Sequence, residues 1–263
     1  MKAVTGVFGS RSGAERAVAQ LHSIGIPEKQ ITLLTPKSVE THLPLAPTDA
    51  TEQPGMGKAI GAVVGASAGF TGGALAIAAI IPGVGPITAI GLLGGAILAT
   101  LGGSVGAVAG EKLEGSMTEG LPEDELFVYE DALRKGRSVV ISLAEDEAAV
   151  LRFRELLSVE GAQSVDAARE QWWIGLRGAE HEHYSNVSRN LGDNEKFYRL
   201  GFESALHARM RCKEYDQVLG EMTAKIEELE RQYPSATVAE PFTQGYERGR
   251  DYYQQLCSES TAA

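Results

Sequence analysis

Residues 59–110 contain no Asp, Glu, Lys, Arg or His: 52 uncharged residues in a row, closed off by Lys58 on one side and Glu111-Lys112 on the other. A run this long must be buried, either in a bilayer or inside protein. It splits at Ile81-Pro82-Gly83-Val84-Gly85-Pro86. Two prolines and two glycines in six residues stop a helix and turn the chain, so Pro82, Gly83, Gly85 and Pro86 read as a hairpin turn. The arms are residues 59–80 and 87–110, 22 and 24 residues long. About 20 helical residues cross a bilayer core, so each arm is long enough. The second arm, with Ile90, Leu92, Leu93, Ile97, Leu98, Leu101, Val105 and Val108, is the richer in large apolar side chains. At about −0.3 to −0.6 kcal/mol for each such residue, insertion is favoured by only a few kcal/mol per arm.

Fourteen of the 31 glycines fall inside this run, and their spacing is more informative than their number. Gly57, Gly61, Gly65, Gly69 and Gly73 recur every four residues. In the second arm Gly91 and Gly95 lead through Ala99 to Gly103, beside a row of Gly94, Leu98, Gly102, Gly106 and Gly110. On a helix, positions four apart share a face, so each arm is expected to present a flat helix-packing stripe to another backbone. In water each glycine costs a helix about 1 kcal/mol relative to Ala, and close packing is the expected compensation. The expectation is a glycine-zipper helical hairpin over residues 57–112, in contact with membrane lipid and self-associating through its glycine faces. The alternatives are a soluble structural protein whose hairpins form the core of a closed oligomer or filament and, more distantly, a ligand-binding regulatory domain that uses the sheet.

The flanks read as a small α/β domain. Lys2–Phe8 is a strand, Ser12-Gly13-Ala14-Glu15 matches a capping box, and the helix that follows reaches about Ser23. Gly25 ends that helix, residues 30–34 form a second strand, and the proline-rich stretch 36–56 is a linker. After the run, Pro122-Glu123-Asp124-Glu125 starts a helix that continues to Gly136, and residues 137–143 form a strand. Glu145-Asp146-Glu147 starts another helix, which Gly161 stops before a short strand at 162–165. The order β-α-β, hairpin, α-β-α-β fits an α+β fold: a ferredoxin-like split β-α-β domain interrupted by the hairpin. The expected organisation is a first half and linker over 1–56, the hairpin over 57–112, the second half over 113–167 and a mostly helical region over 168–263.

These features resemble bacterial low-temperature-induced and general-stress proteins that carry a glycine-zipper hairpin within a small α/β domain. The residues that match are Gly6-Val7-Phe8, Ala14-Glu15, Ala17-Val18, Leu21 and Gly25-Ile26, then the glycine rows and Ile81–Pro86. Leu121-Pro122, Tyr129-Glu130, Gly136 and Val139-Val140 complete the likeness, which covers residues 1–167. The resemblance implies a stress-linked, membrane-associated protein without established catalytic residues. It leaves residues 168–263 without an assigned role.

In that last region, Tyr198-Arg-Leu-Gly201-Phe202-Glu203 is echoed 44 residues later by Phe242-Thr-Gln-Gly245-Tyr246-Glu247. Both match aromatic-x-x-Gly-aromatic-Glu. They read as either a duplication or a chance match, and their aromatics as either internal helix packing or a surface for a protein partner.

Charge and motifs narrow the function. With 24 basic and 35 acidic residues, a net of −11, the chain lacks the basic footprint of a nucleic-acid binder. Cys212 and Cys257 form no CxxC pair, and the apolar patch at the N-terminus is too short for a secretory segment. Soluble parts in the cytoplasm are therefore expected. Aromatic content of 6% predicts a core built mainly from aliphatic side chains.

Glu180-His181-Glu182-His183 offers His181 and His183 as weak metal candidates, but a di-metal site needs a second Glu-x-x-His and there is none. Gly6–Gly13 is neither a dinucleotide fingerprint nor a Walker loop, and the capping box accounts for it. With no HExxH or GxSxG, the sequence calls for no catalysis and no cofactor. Trp172-Trp173, beside Arg169 and Arg177, suits a membrane interface or ordinary packing.

Overall fold

A computed structural model describes residues 1–36, 76–81, 83–91, 94, 97–98, 123–187, 191–211, 213 and 215–262. The chain divides into two compact units, Met1–Leu121 with Glu130–Val165, and Pro122–Tyr129 with Asp166–Ala263. The architecture is mixed α/β: one six-stranded antiparallel sheet and a larger share of helix.

In the first unit the strands are β1 (Lys2–Phe8), β2 (Ile31–Pro36), β3 (Ala76–Ile81), β4 (Gly85–Ile90), β5 (Ser138–Ala144) and β6 (Gln163–Ser164). Their order across the sheet is β3-β4-β2-β5-β1-β6. Every pairing is antiparallel, with Val4 opposite Ser142, Leu33 opposite Val140 and Leu33 opposite Ile90 on the other side. β5 is buried at all seven positions, as its nearly unbroken apolar sequence requires of a strand covered on both faces.

The helices are α1 (Arg11–Ser23), α2 (Leu126–Arg134) and α3 (Glu147–Val159). On one face of the sheet, Val4, Phe8, Leu33 and Val140 meet Ala17, Val18 and Leu21 of α1 and Val150, Phe153 and Leu157 of α3. The cap of α1 is not the serine the sequence favours. Ser10 is extended, at φ −144°, and its hydroxyl accepts from the Gly13 N–H at 3.2 Å. Glu15 instead pairs with Arg11, one turn earlier, at 2.7 Å. Asp146 caps α3 in the same way, through the Ala149 N–H at 2.6 Å.

The charge-free run departs from the helical-hairpin expectation wherever it is described. Residues 76–81 and 85–90 are not ends of helical arms but a β-hairpin that extends the sheet beyond β2. The side chains explain this. Ile77, Ile80, Ile81, Ile87, Thr88 and Ile90 are β-branched, a type that packs well on a pleated surface. Burial follows a period of two: Ala79 and Ile81 are buried, while Ile80 between them is exposed.

The chain reverses between Ile81 and Gly85. Here the Val84 N–H donates to the Ile81 carbonyl at 3.0 Å, and Gly83 and Gly85 take φ of +75° and +100°. Pro86 sits in β4 opposite Ile80. The Arg134 guanidinium in α2 donates to the Gly83 carbonyl at 2.6 Å and holds the turn.

Of the expected helix-stripe glycines, Gly91 and Gly94 are among the described residues, and both pack against strands. Gly91 ends β4 at φ +115°, where a Cβ would overlap the Ile31 carbonyl oxygen of β2. Its backbone therefore packs on a strand and not on a helix. Gly94 is helical, and a Cβ there would lie 2.8 Å from the Ala89 Cβ of β4. Gly57, Gly61, Gly65, Gly69, Gly73, Gly95, Gly102, Gly103, Gly106, Gly110 and Pro82 lie outside the described residues. Among the described residues no helix is long and apolar enough to cross a membrane.

The second unit contains α4 (Val165–Val187), α5 (Glu195–Leu206), α6 (Tyr215–Gln232) and α7 (Ala239–Ala262). Its core combines aliphatic side chains such as Val218, Leu229 and Val238 with a large share of rings. Trp172, Trp173, Tyr184, Tyr198, Phe202, Phe242 and Tyr246 are each at most 3% exposed. The two tryptophans are thus packed inside this unit, edge-on to Phe202 with ring centroids 5.9 Å away in each case.

Candidate functional site: the α5–α7 crossing and a basic cavity

The two echoing motifs lie on α5 and α7 and meet each other. A Cβ on Gly201 would overlap the Phe242 carbonyl oxygen, and one on Gly245 would overlap the Tyr198 carbonyl oxygen. The approach is reciprocal, each motif's glycine resting on the first aromatic of the other, as in a local two-fold. One turn on, a Cβ at Gly249 would lie 2.5 Å from the Phe202 carbonyl oxygen and 2.9 Å from the Ala205 Cβ. Close approach of this kind gains dispersion and Cα–H···O contacts, which offset the helix cost of about 1 kcal/mol per glycine. The flanking Tyr198, Phe202, Phe242 and Tyr246 are buried at the crossing.

Charged groups fill the space beside the crossing. Glu180 is only 1% exposed and accepts from the Tyr198 hydroxyl at 2.8 Å. It also accepts a two-pronged contact from Arg248, at 3.1 Å from Nε and 3.0 Å from Nη2. Burial and the adjacent Glu180 anion push the Tyr198 phenol far above its usual range, so it is a permanent donor. Arg199 bridges Glu203 and Glu170, at 2.6 Å to each. Glu195 accepts from the Trp173 indole at 2.9 Å and from Arg177 at 2.7 Å. Burial pushes the Glu195 carboxyl up, but hydrogen bonds from Arg177 and Trp173 outweigh it and hold the group below its usual value.

The histidines of residues 180–183 do not assemble a metal site. Glu180 turns into the core, whereas His181 is about 40% exposed with Nε2 3.7 Å from Glu195, and His183 is exposed. Among the described residues no three His, Cys, Asp or Glu side chains are grouped to hold a metal ion. His207, just past α5, is stacked on Phe127 at 6.3 Å and lies 3.6 Å from Asp124. Burial lowers its pKa, against the opposing pull of Asp124.

Beyond the crossing, a cavity of about 320 Å³ opens against Ala205 at the end of α5. Arg211 and Lys213 line it from the following segment, and Arg250, Tyr253, Gln254 and Cys257 line it from α7. Arg211 is 6% exposed, and its guanidinium lies 5.3 Å from the centre of the Tyr253 ring. Cys257 is half-buried. Whole-chain charge conceals this site. Its local signature is Arg209, Arg211 and Lys213 within five residues, followed by Arg248 and Arg250, in an otherwise acidic chain.

No protein-family model, curated protein or solved structure matches this chain.

Proposed function

We propose that this chain is a non-enzymatic, membrane-associated protein of stress-response type. The glycine-rich part of its charge-free segment outside the 76–90 sheet hairpin inserts in or packs within a membrane and drives homo-oligomerisation through glycine faces. Soluble parts lie in the cytoplasm, and the C-terminal helices serve as an assembly or protein-partner module. The observation that carries the reading is the 52-residue run without a charge, entered by glycines at every fourth position from Gly57 to Gly73.

The sheet suits a mounting for such a segment. The order β2-β5-β1-β6, with α1 and α3 on one face, supports reading the sheet without its inserted hairpin as a ferredoxin-like split β-α-β domain. The insertion leaves from β2 and returns towards β5, neighbours in the sheet. Both ends of the segment therefore belong to one side of any bilayer.

A second reading is favoured by one observation: part of the run, residues 76–90, is a sheet hairpin and not bilayer-spanning helix. In this reading the glycine-rich remainder is the core of a soluble closed oligomer or filament. Fractionation separates the two. Membranes from expressing cells are washed with high salt and then alkaline carbonate. Retention through both washes, with release only by detergent, is the expected result. A discrete large particle in the supernatant would overturn the membrane reading in favour of the soluble assembly.

A further inference from the structure

The cavity at the end of the α5–α7 crossing has a lining at odds with the rest of the molecule. In a chain of net charge −11, the described residues of its lining include three cations and no carboxylate. Like charges repel when gathered around one small volume, and the fold holds these in place. Arg211 is more than nine-tenths buried and stacked near Tyr253, so its fork is preorganised. Arg250 comes from α7, where the close contact of Gly249 with Ala205 brings the two helices together.

Arg248 and Arg250 divide the work on either side of Gly249. Two residues apart on a helix they point in different directions, Arg248 to buried Glu180 and Arg250 to the cavity. Lys213 is held at the rim by Glu221 at 3.5 Å, an exposed pair worth little that an incoming anion can replace. Gln254 and the Tyr253 hydroxyl add uncharged hydrogen-bonding groups. The volume, about 320 Å³, matches the small end of ligand pockets.

From this lining we infer that the cavity binds a phosphoryl group, as a phosphate monoester. Two guanidinium forks and an ammonium suit its dianionic charge and several acceptor oxygens. The same chemistry is found in a small phosphorylated metabolite and in the headgroup of an anionic lipid. This inference stands apart from the membrane reading and survives its failure, because every lining residue belongs to the C-terminal unit.

The test is calorimetric titration of the full-length protein with inorganic phosphate and with glycerol 3-phosphate. It is paired with sedimentation on phosphatidylcholine vesicles with and without phosphatidic acid. Saturable binding with a Kd of about 1 mM or tighter is expected for at least one probe. Arg250→Gln should weaken it about tenfold or more, and Lys213→Gln about fivefold. Arg231→Gln removes an exposed cation on α6, outside the lining, and should leave binding unchanged.

Glycerol 3-phosphate binding assigns a soluble ligand. A preference for phosphatidic acid vesicles that Arg250→Gln abolishes assigns a lipid headgroup. Lys213 is half-exposed and tolerates substitution, so the test does not hang on the folding of the Arg250 variant. Absence of binding to all probes would overturn the inference, as would an equal loss in the Arg231 variant.

Discussion

The two units solve the problem of burial with different side chains. The sheet unit closes on Val, Ile, Leu and Ala, with Phe8 and Phe153 as the aromatics of its core cluster. The helical unit holds 14 of the chain's 17 aromatic residues, while both units bury charge, the sheet unit at Glu130 and Asp131 and the helical unit at Glu180, Glu203 and Arg211. Glycine differs too. In the sheet unit Gly83 and Gly85 supply positive φ for a turn, and Gly91 combines positive φ with a close approach to the Ile31 carbonyl. At the α5–α7 crossing Gly201, Gly245 and Gly249 supply the absence of a side chain. Identical residues thus serve conformation at the turn and proximity at the crossing, and only their surroundings distinguish the two uses.

The crossing gives the sharpest way to break that contrast. Gly201→Ala and Gly245→Ala should each destabilise the helical unit by about 3–4 kcal/mol, although Ala is the better helix former, because the new methyl overlaps a backbone carbonyl. Gly220→Ala on α6 meets nothing within 4 Å and should instead stabilise by up to about 1 kcal/mol. Urea unfolding followed by near-ultraviolet circular dichroism reads both signs.

Next in size is the buried ion pair. Glu180→Ala strands Arg248 and should cost about 3 kcal/mol, whereas exposed Glu247→Ala should stay within about 0.5 kcal/mol in the same assay.

A pH effect follows from His207. Burial favours its neutral form, so below about pH 6.5 the folded state binds fewer protons than the unfolded one. The associated stability is complete above pH 6.5 and is lost as the pH falls from there through the lowered folded pKa. Melting temperatures from pH 8 to 5 should show this decline, and His207→Gln should flatten it. Smallest of all, Ser10→Ala should cost the sheet unit about 1 kcal/mol through its lost helix cap.

The sequence was most legible where pattern and punctuation agree. β1 has the expected extent and α1 ends where expected though it starts two residues early, and the acidic stretch 145–147 does start α3, with Asp146 as its cap. It misled at residues 76–90. There Ala and Gly between isoleucines satisfy a helix period as readily as a strand period, and length alone favoured helix. Burial alternation from Ala79 to Ile81, a tertiary property, decides the matter.

The low aromatic fraction misled for another reason. A whole-chain mean of 6% conceals that nearly all the rings sit in one unit. The aromatic-x-x-Gly-aromatic-Glu echo was visible, but that the two copies pack on each other follows only from the fold. Legible last, if at all, was the basic cavity. Its cations come from segments nearly 40 residues apart, Arg211 and Arg250, and the acidic total masks them.

The central claim is that glycines act between copies over residues 57–73, as they act within one copy at Gly201 and Gly245. Its most direct test is the mass of the detergent-extracted wild-type protein beside that of the double variant Gly65→Leu/Gly69→Leu, with membrane retention measured in parallel. The account predicts a wild-type homo-oligomer and a shift to smaller species in the variant, while the variant remains in the membrane fraction. An unchanged oligomer in the double variant, or a monomeric wild type, would contradict it.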